Sequence, residues 1–81
     1  MTVEEIFKKV QRSIFETSGF SQNEISLTDD LELDLQLGSL DKFNLFDDLE
    51  TVFSITMPDN CMEEIKTVEQ LVNTIYELTN N

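Results

Sequence analysis

Eighty-one residues are expected to form one small domain (1–81), in a size range where a single core is only just sufficient. Hydrophobic residues make up 40% of the chain, enough for a folded segment, while two glycines and one proline are too few for the turns of a β-rich fold. A net charge of −12 argues against nucleic-acid phosphates and anionic lipid as partners and favours basic protein patches.

The first helix is predicted from Thr2-Val3-Glu4-Glu5, a capping-box pattern with Thr2 as N-cap and Glu5 three residues on. Val3, Ile6, Phe7, Val10 and Ile14 then share one helical face. Ser18-Gly19 supplies the stop, because glycine accepts the left-handed conformation after a last turn. Three acids and three bases balance in residues 1–18, so residues 19–81 carry the whole −12, with Lys42 and Lys66 as their only bases. Solubility accounts for many of these acids, yet the asymmetry favours a binding face.

Residues 20–38 lack sustained periodicity and read as a long loop. Phe20, Ile25, Leu27, Leu31 and Leu33 are expected to pin it to the core. A loop of that length in so small a domain is usually functional.

Helical periodicity returns at Ser39. Leu45, Phe46, Leu49 and Phe53 form a core face, and a second face carries Leu40, Phe43, Asn44, Asp47 and Thr51. Two readings of Phe43 stand side by side: packing under the long loop, or contact with a partner. Pro58 ends this region, and Asp59 is expected to cap a short turn through Ile65, with Met62 and Ile65 inward. Thr67-Val68-Glu69-Gln70 is a second capping box, opening a last helix with Val68, Leu71, Val72, Ile75 and Leu78 on its apolar face. The expected fold is all-α: three longer helices and one short one in a small bundle, with a long loop between the first two.

Cys61 is the only cysteine, so no intrachain disulfide forms and a cytoplasmic setting is expected. Histidine is absent, which removes the usual zinc and catalytic-triad ligand sets. Neither a membrane-spanning apolar stretch nor a signal peptide is read in the sequence, so no membrane insertion is expected. Asp30, Glu32 and Asp34 mimic the first ligands of an EF-hand loop, but Leu35 stands where that loop needs glycine and Asp41 where it needs glutamate, so no metal site is assigned. The Asp47-Asp48 pair falls on an exposed helix and reads as solvated charge rather than acid–base machinery. No catalytic residue is assigned.

Ser39, in Leu37-Gly38-Ser39-Leu40-Asp41, carries most of the functional question. A serine at a helix head is either an N-cap or a covalent attachment point. As a cap it would have Lys42 three residues on, so no reciprocal capping box could form.

Ser39-Leu40-Asp41, followed by Leu45, Leu49-Glu50, Phe53, Ile55 and Met57-Pro58-Asp59, resembles the acyl carrier proteins. Their pattern is Asp-Ser-Leu-Asp, a helix of hydrophobic and acidic residues, then Phe-x-x-x-Ile-Pro-Asp. Ile65-Lys66-Thr67-Val68 is similar to the Ile-x-Thr-Val that opens the family's last helix, and Asp34-Leu35 to the Asp-Leu ahead of its serine. The resemblance implies a non-enzymatic carrier, with Ser39 matching the serine that a phosphopantetheinyl transferase modifies with 4'-phosphopantetheine. The arm's thiol then carries acyl groups between enzymes of fatty-acid, lipid or secondary-metabolite synthesis. Leu40, Asp41, Phe43, Asn44, Asp47, Asp48 and Glu50 are the candidate contacts for acyl-ligase, synthase or acyltransferase partners with basic docking patches. Phe46, Met57, Cys61, Met62 and Ile65 are candidates to line an acyl pocket, and core packing accounts for Met57, Cys61 and Met62 equally well. A monomer is expected.

Three departures from the family pattern point to a specialised carrier rather than the housekeeping one. Gly38 stands in place of the aspartate before the serine, an acid expected to aid recognition by the transferase and other partners. Gln36-Leu37 replaces the Gly-Ala of many fatty-acid carriers. Along the helix, Phe43, Asn44 and Asp47 replace a usual valine, glutamate and methionine. Gly38 keeps a second reading open, an acidic interaction module that is never modified.

Overall fold

In a computed structural model that describes residues 1–80, four helices run in the order α1 (Val3–Ser18), α2 (Ser39–Phe53), α3 (Cys61–Glu64) and α4 (Val68–Thr79), with no strand among the described residues. The capping signals set two of the starts. Thr2 Oγ1 accepts the Glu5 amide at 3.2 Å, and Glu5 Oε1 accepts the Thr2 amide at 3.2 Å. Thr67 and Gln70 make the same reciprocal pair at the head of α4, both bonds 3.2 Å. Gly19 ends α1 at φ 83°, where a side chain would be strained, and its amide donates to the Phe15 carbonyl at 2.8 Å.

The core follows the helical faces. Ile6, Val10 and Ile14 of α1, Leu45 and Leu49 of α2, and Val68, Leu71, Val72 and Ile75 of α4 have no exposed surface. Each such side chain contributes roughly 1.5–3 kcal/mol over an exposed position. α1 packs against both α2 and α4, and α3 touches α2. Phe46 and Phe53 complete the α2 face, while Val3 lies exposed at the edge of the α1 stripe.

Between α1 and α2 the chain makes one 3-10 turn, Gln22–Glu24, and is then held at two places. Gln11 of α1 donates through Nε2 to the carbonyls of Gln22 and Ile25, at 3.1 and 2.9 Å. Further on, the amides of Val68 and Glu69 donate to the carbonyls of Asp29 and Leu27, and the Leu31 amide donates to the Lys66 carbonyl at 2.8 Å. The loop thus bridges α1 and the head of α4 before it delivers the chain to α2.

Leu33 corrects the sequence expectation. It is 81% exposed, while Leu35 and Leu37 are buried in its stead. The reason is local. Asp34 and Leu35 both donate their amides to the Asp30 carbonyl, so residues 30–35 wind as a helix-like turn. That spacing puts Leu31 and Leu35 on the inner side and Leu33 outside. The short helix also starts differently. Asn60, not Asp59, occupies its cap position, no side chain caps it, and it covers only Cys61–Glu64. Met62 is half-buried and Ile65, just past the helix end, is buried.

Candidate functional site

The backbone before Ser39 turns sharply. Gln36 has φ 56°, in the left-handed region that side chains disfavour, and Gly38 is extended at φ −78° and ψ 179°. Gly38 takes the cap position: its carbonyl accepts the Lys42 amide at 2.9 Å, the first bond of α2. Ser39 is therefore the first helical residue rather than the cap, and Asp41, not Lys42, stands at the third position. No side chain caps this helix, so the amides of its first turn remain open. Ser39 is exposed, and its hydroxyl has no hydrogen-bond partner among the described residues.

Apolar side chains lie uncovered along the helix that it opens. Leu40 is 72% and Phe43 58% exposed, so Phe43 does not pack under the loop. Asn44 and Asp47 are exposed further along the same helix, while Asp41 and Asp48 are half-buried. Glu50 is engaged internally, its Oε2 accepting the Met57 amide at 2.8 Å. That bond folds the chain back after Ser54, whose left-handed backbone (φ 55°) ends α2.

The return segment leaves a shallow cleft of about 100 Å³ against α2, lined by Phe43, Phe46, Met57, Pro58 and Met62, with Asp47, Glu50 and Asp59 at its margin. Of the five pocket candidates, Phe46, Met57 and Met62 meet here. Cys61 and Ile65 do not border the cleft. Burial, with Glu64 nearby, pushes the Cys61 thiol pKa up, which disfavours the reactive thiolate.

Ser39 itself borders a second cleft, between the α1–α2 loop, the head of α2, α3 and the approach to α4. Lys42 and Lys66 line it, together with Glu32, Asp59 and Glu63. The basic side chains here were missed as site residues. Their signal was available, since they are the only bases after residue 18. Lys42 pairs with Glu32, and the lysine holds that carboxyl below the usual range. Asp30 is held low by the amides of Leu33 and Glu32, which donate to its Oδ1 at 2.9 Å each. These carboxylates close their own turn. No group of three or more His, Cys, Asp or Glu side chains is placed to hold a metal among the described residues.

Three comparisons bear on this arrangement. No protein-family model matches the chain. A curated acyl carrier protein of Petrotoga mobilis is 36% identical over 80 residues, covering 99% of this chain and 94% of that protein. The acyl carrier protein of Exiguobacterium sibiricum is 41% identical over 75 residues, covering 93% of this chain and 95% of its own length. The chain belongs to the acyl carrier protein family. A solved acyl carrier protein from Enterococcus faecalis superposes with a TM-score of 0.79 at 26% identity, covering 96% of this chain and 99% of that one. Members of the acyl carrier protein family are carriers, not enzymes. No described helix is long and apolar enough to cross a membrane.

Set against the acyl carrier protein pattern, Gln36 gains a physical meaning. It holds a left-handed backbone at the place where many fatty-acid carriers have glycine. Gly38 is the converse. Its backbone suits any residue, and a side chain there would meet nothing within 4 Å. Neither sterics nor backbone conformation demands glycine in place of the family's aspartate.

Proposed function

We propose that this chain carries acyl intermediates as thioesters on a 4'-phosphopantetheine arm attached to Ser39. The observation that carries this reading is the state of Ser39: an exposed first helical residue whose hydroxyl makes no internal hydrogen bond. A transferase can reach such a hydroxyl, and its modification breaks nothing in the fold. The surroundings suit the arm's phosphodiester. Open amides and the positive end of a helix dipole favour an anion at that position. When bound, the arm supplies the thiol that holds the acyl group.

The remaining tasks fall to the protein's own side chains. Leu40, Phe43, Asn44 and Asp47 offer a docking face on α2, with Asp41 and Asp48 adding negative field. Basic patches on a phosphopantetheinyl transferase, and on acyl-ligase, synthase or acyltransferase partners, are steered to it. Such docking is fast and weakened by salt. The cleft of Phe46, Met57 and Met62 gives the start of an acyl chain partial shelter. A single monomeric domain working in the cytoplasm completes the reading, with the cargo belonging to fatty-acid, lipid or secondary-metabolite synthesis.

The deciding experiment is intact mass after incubation with coenzyme A and several phosphopantetheinyl transferases, including any from the same genome. One phosphopantetheine is expected to add to the wild type and none to Ser39→Ala. Gly38 favours a second reading, an unmodified acidic module that works by docking alone. No addition with any transferase would establish that alternative in place of the first.

A further inference from the structure

Residues 19–81 hold two bases among their many acids, and both line the cleft that Ser39 borders. They lie 24 residues apart in sequence, Lys42 on α2 and Lys66 just before α4. The fold gathers the whole positive charge of that region beside one hydroxyl. The two lysines are not equivalent. Lys42 is 11% exposed and paired with Glu32, so its charge is answered. Lys66 is exposed, and its ammonium makes no ion pair among the described residues. Its backbone is fixed on both sides, the amide donating to Gln70 Oε1 at 2.7 Å and the carbonyl accepting from Leu31. A cation outside any ion pair, whose field reaches the Asp30 and Glu32 carboxylates, is thus mounted on a hydrogen-bonded segment. Asp59 and Glu63 share the cleft without reaching it.

We propose that Lys66 is the counter-charge for the phosphodiester carried on Ser39, and that it draws the arm into this cleft instead of leaving it in solvent. The inference rests on the carrier reading above. Lys42, paired with Glu32, lines the same cleft with its charge answered. Such a contact also gives the arm a direction. Met62 and Asp59 border both this cleft and the apolar cleft of Phe46 and Met57, so the two adjoin. An arm held at Lys66 therefore runs from a charged end toward an apolar one. Its phosphate and its cargo each meet matching chemistry along one track.

The test uses the phosphopantetheine-loaded protein with nitrogen-15-labelled lysines, after intact mass has verified loading. The Lys66 ammonium resonance is expected to shift, and to exchange its protons with water more slowly, in the loaded protein than in the unloaded one. The phosphorus resonance of the arm is expected to move in Lys66→Gln and to be restored in Lys66→Arg. Both variants alter an exposed side chain, so a thermal melt is expected to match wild type. Loading without any Lys66 shift, together with an identical phosphorus resonance in Lys66→Gln, would overturn this inference and leave the carrier reading intact. Failure to load at all would overturn both.

Discussion

The Lys42 side chain, 11% exposed, reaches back from the head of α2 to pair with the Glu32 side chain, which is 54% exposed. The pair ties the helix that carries Ser39 to the turn that precedes it. The two residues stand ten positions apart, and Leu37, inside the closed segment, donates its amide to the carbonyl of Leu31 just ahead of it at 3.0 Å. Glu32→Gln is expected to speed hydrogen exchange at the Leu37 amide while leaving the α1 and α4 core amides unchanged. Unchanged exchange at Leu37 would mean that the Asp30 turn holds the segment without the ion pair.

Ser39→Ala separates structure from function. Removing a true N-cap serine costs about 1 kcal/mol, but here the hydroxyl caps nothing. The variant is expected to melt within about 0.5 kcal/mol of wild type while accepting no phosphopantetheine. A larger loss in a urea titration would show that the hydroxyl has a structural role.

Gly38→Asp fits without strain, since its backbone is ordinary and the added side chain has room. The carboxylate at the cap position faces the amides of Leu40 and Asp41. A gain of a few tenths of a kcal/mol is expected from capping, with faster phosphopantetheine addition in a mass-resolved time course. If modification does not quicken, recognition does not depend on that acid.

Gln36→Gly relieves a left-handed backbone. The native conformation costs a non-glycine residue about 1–2 kcal/mol, and glycine returns part of that through the greater freedom of its unfolded chain. The net expectation is a stabilisation of about 0.5–1 kcal/mol by these same two terms, read as a higher urea midpoint with an unchanged slope.

Acid should loosen the turn at Asp30. Its folded pKa is depressed by the Leu33 and Glu32 amides, so its contribution is complete above the unfolded value of about 3.9 and is lost as pH falls through the folded one. The stability difference between wild type and Asp30→Ala is expected to be constant from pH 7 to about 5 and to narrow below about 4. A difference that persists undiminished at the lowest pH would assign the turn to its backbone bonds alone.

What could be read in advance depended on how local the signal was. Thr2 and Glu5, Thr67 and Gln70, and Gly19 announce helix ends through neighbours three residues away or fewer, and each behaves as expected. The α2 core face was equally legible from spacing. Leu33 was not, because its direction depends on a turn wound by Asp30, and an irregular loop has no periodicity to reveal that. Asp59 suits a cap by residue type, yet the short helix begins one residue later than that would place it and is uncapped. At Ser39 the start of a helix is legible from the returning periodicity, and the cleft beside it is not. Lys66 reaches the cleft only through the pairing of residues 27–31 with 66–69, a long-range contact that no local pattern encodes.

The uncovered Leu33, Leu40 and Phe43 have a consequence for how copies of this protein coexist. Three exposed apolar side chains on so small a surface are a natural seed for clumping. A charge of −12 on so small a body keeps identical molecules apart. The acidity therefore acts as a filter on company: it repels other copies, which are as acidic as itself, while their apolar side chains stay uncovered.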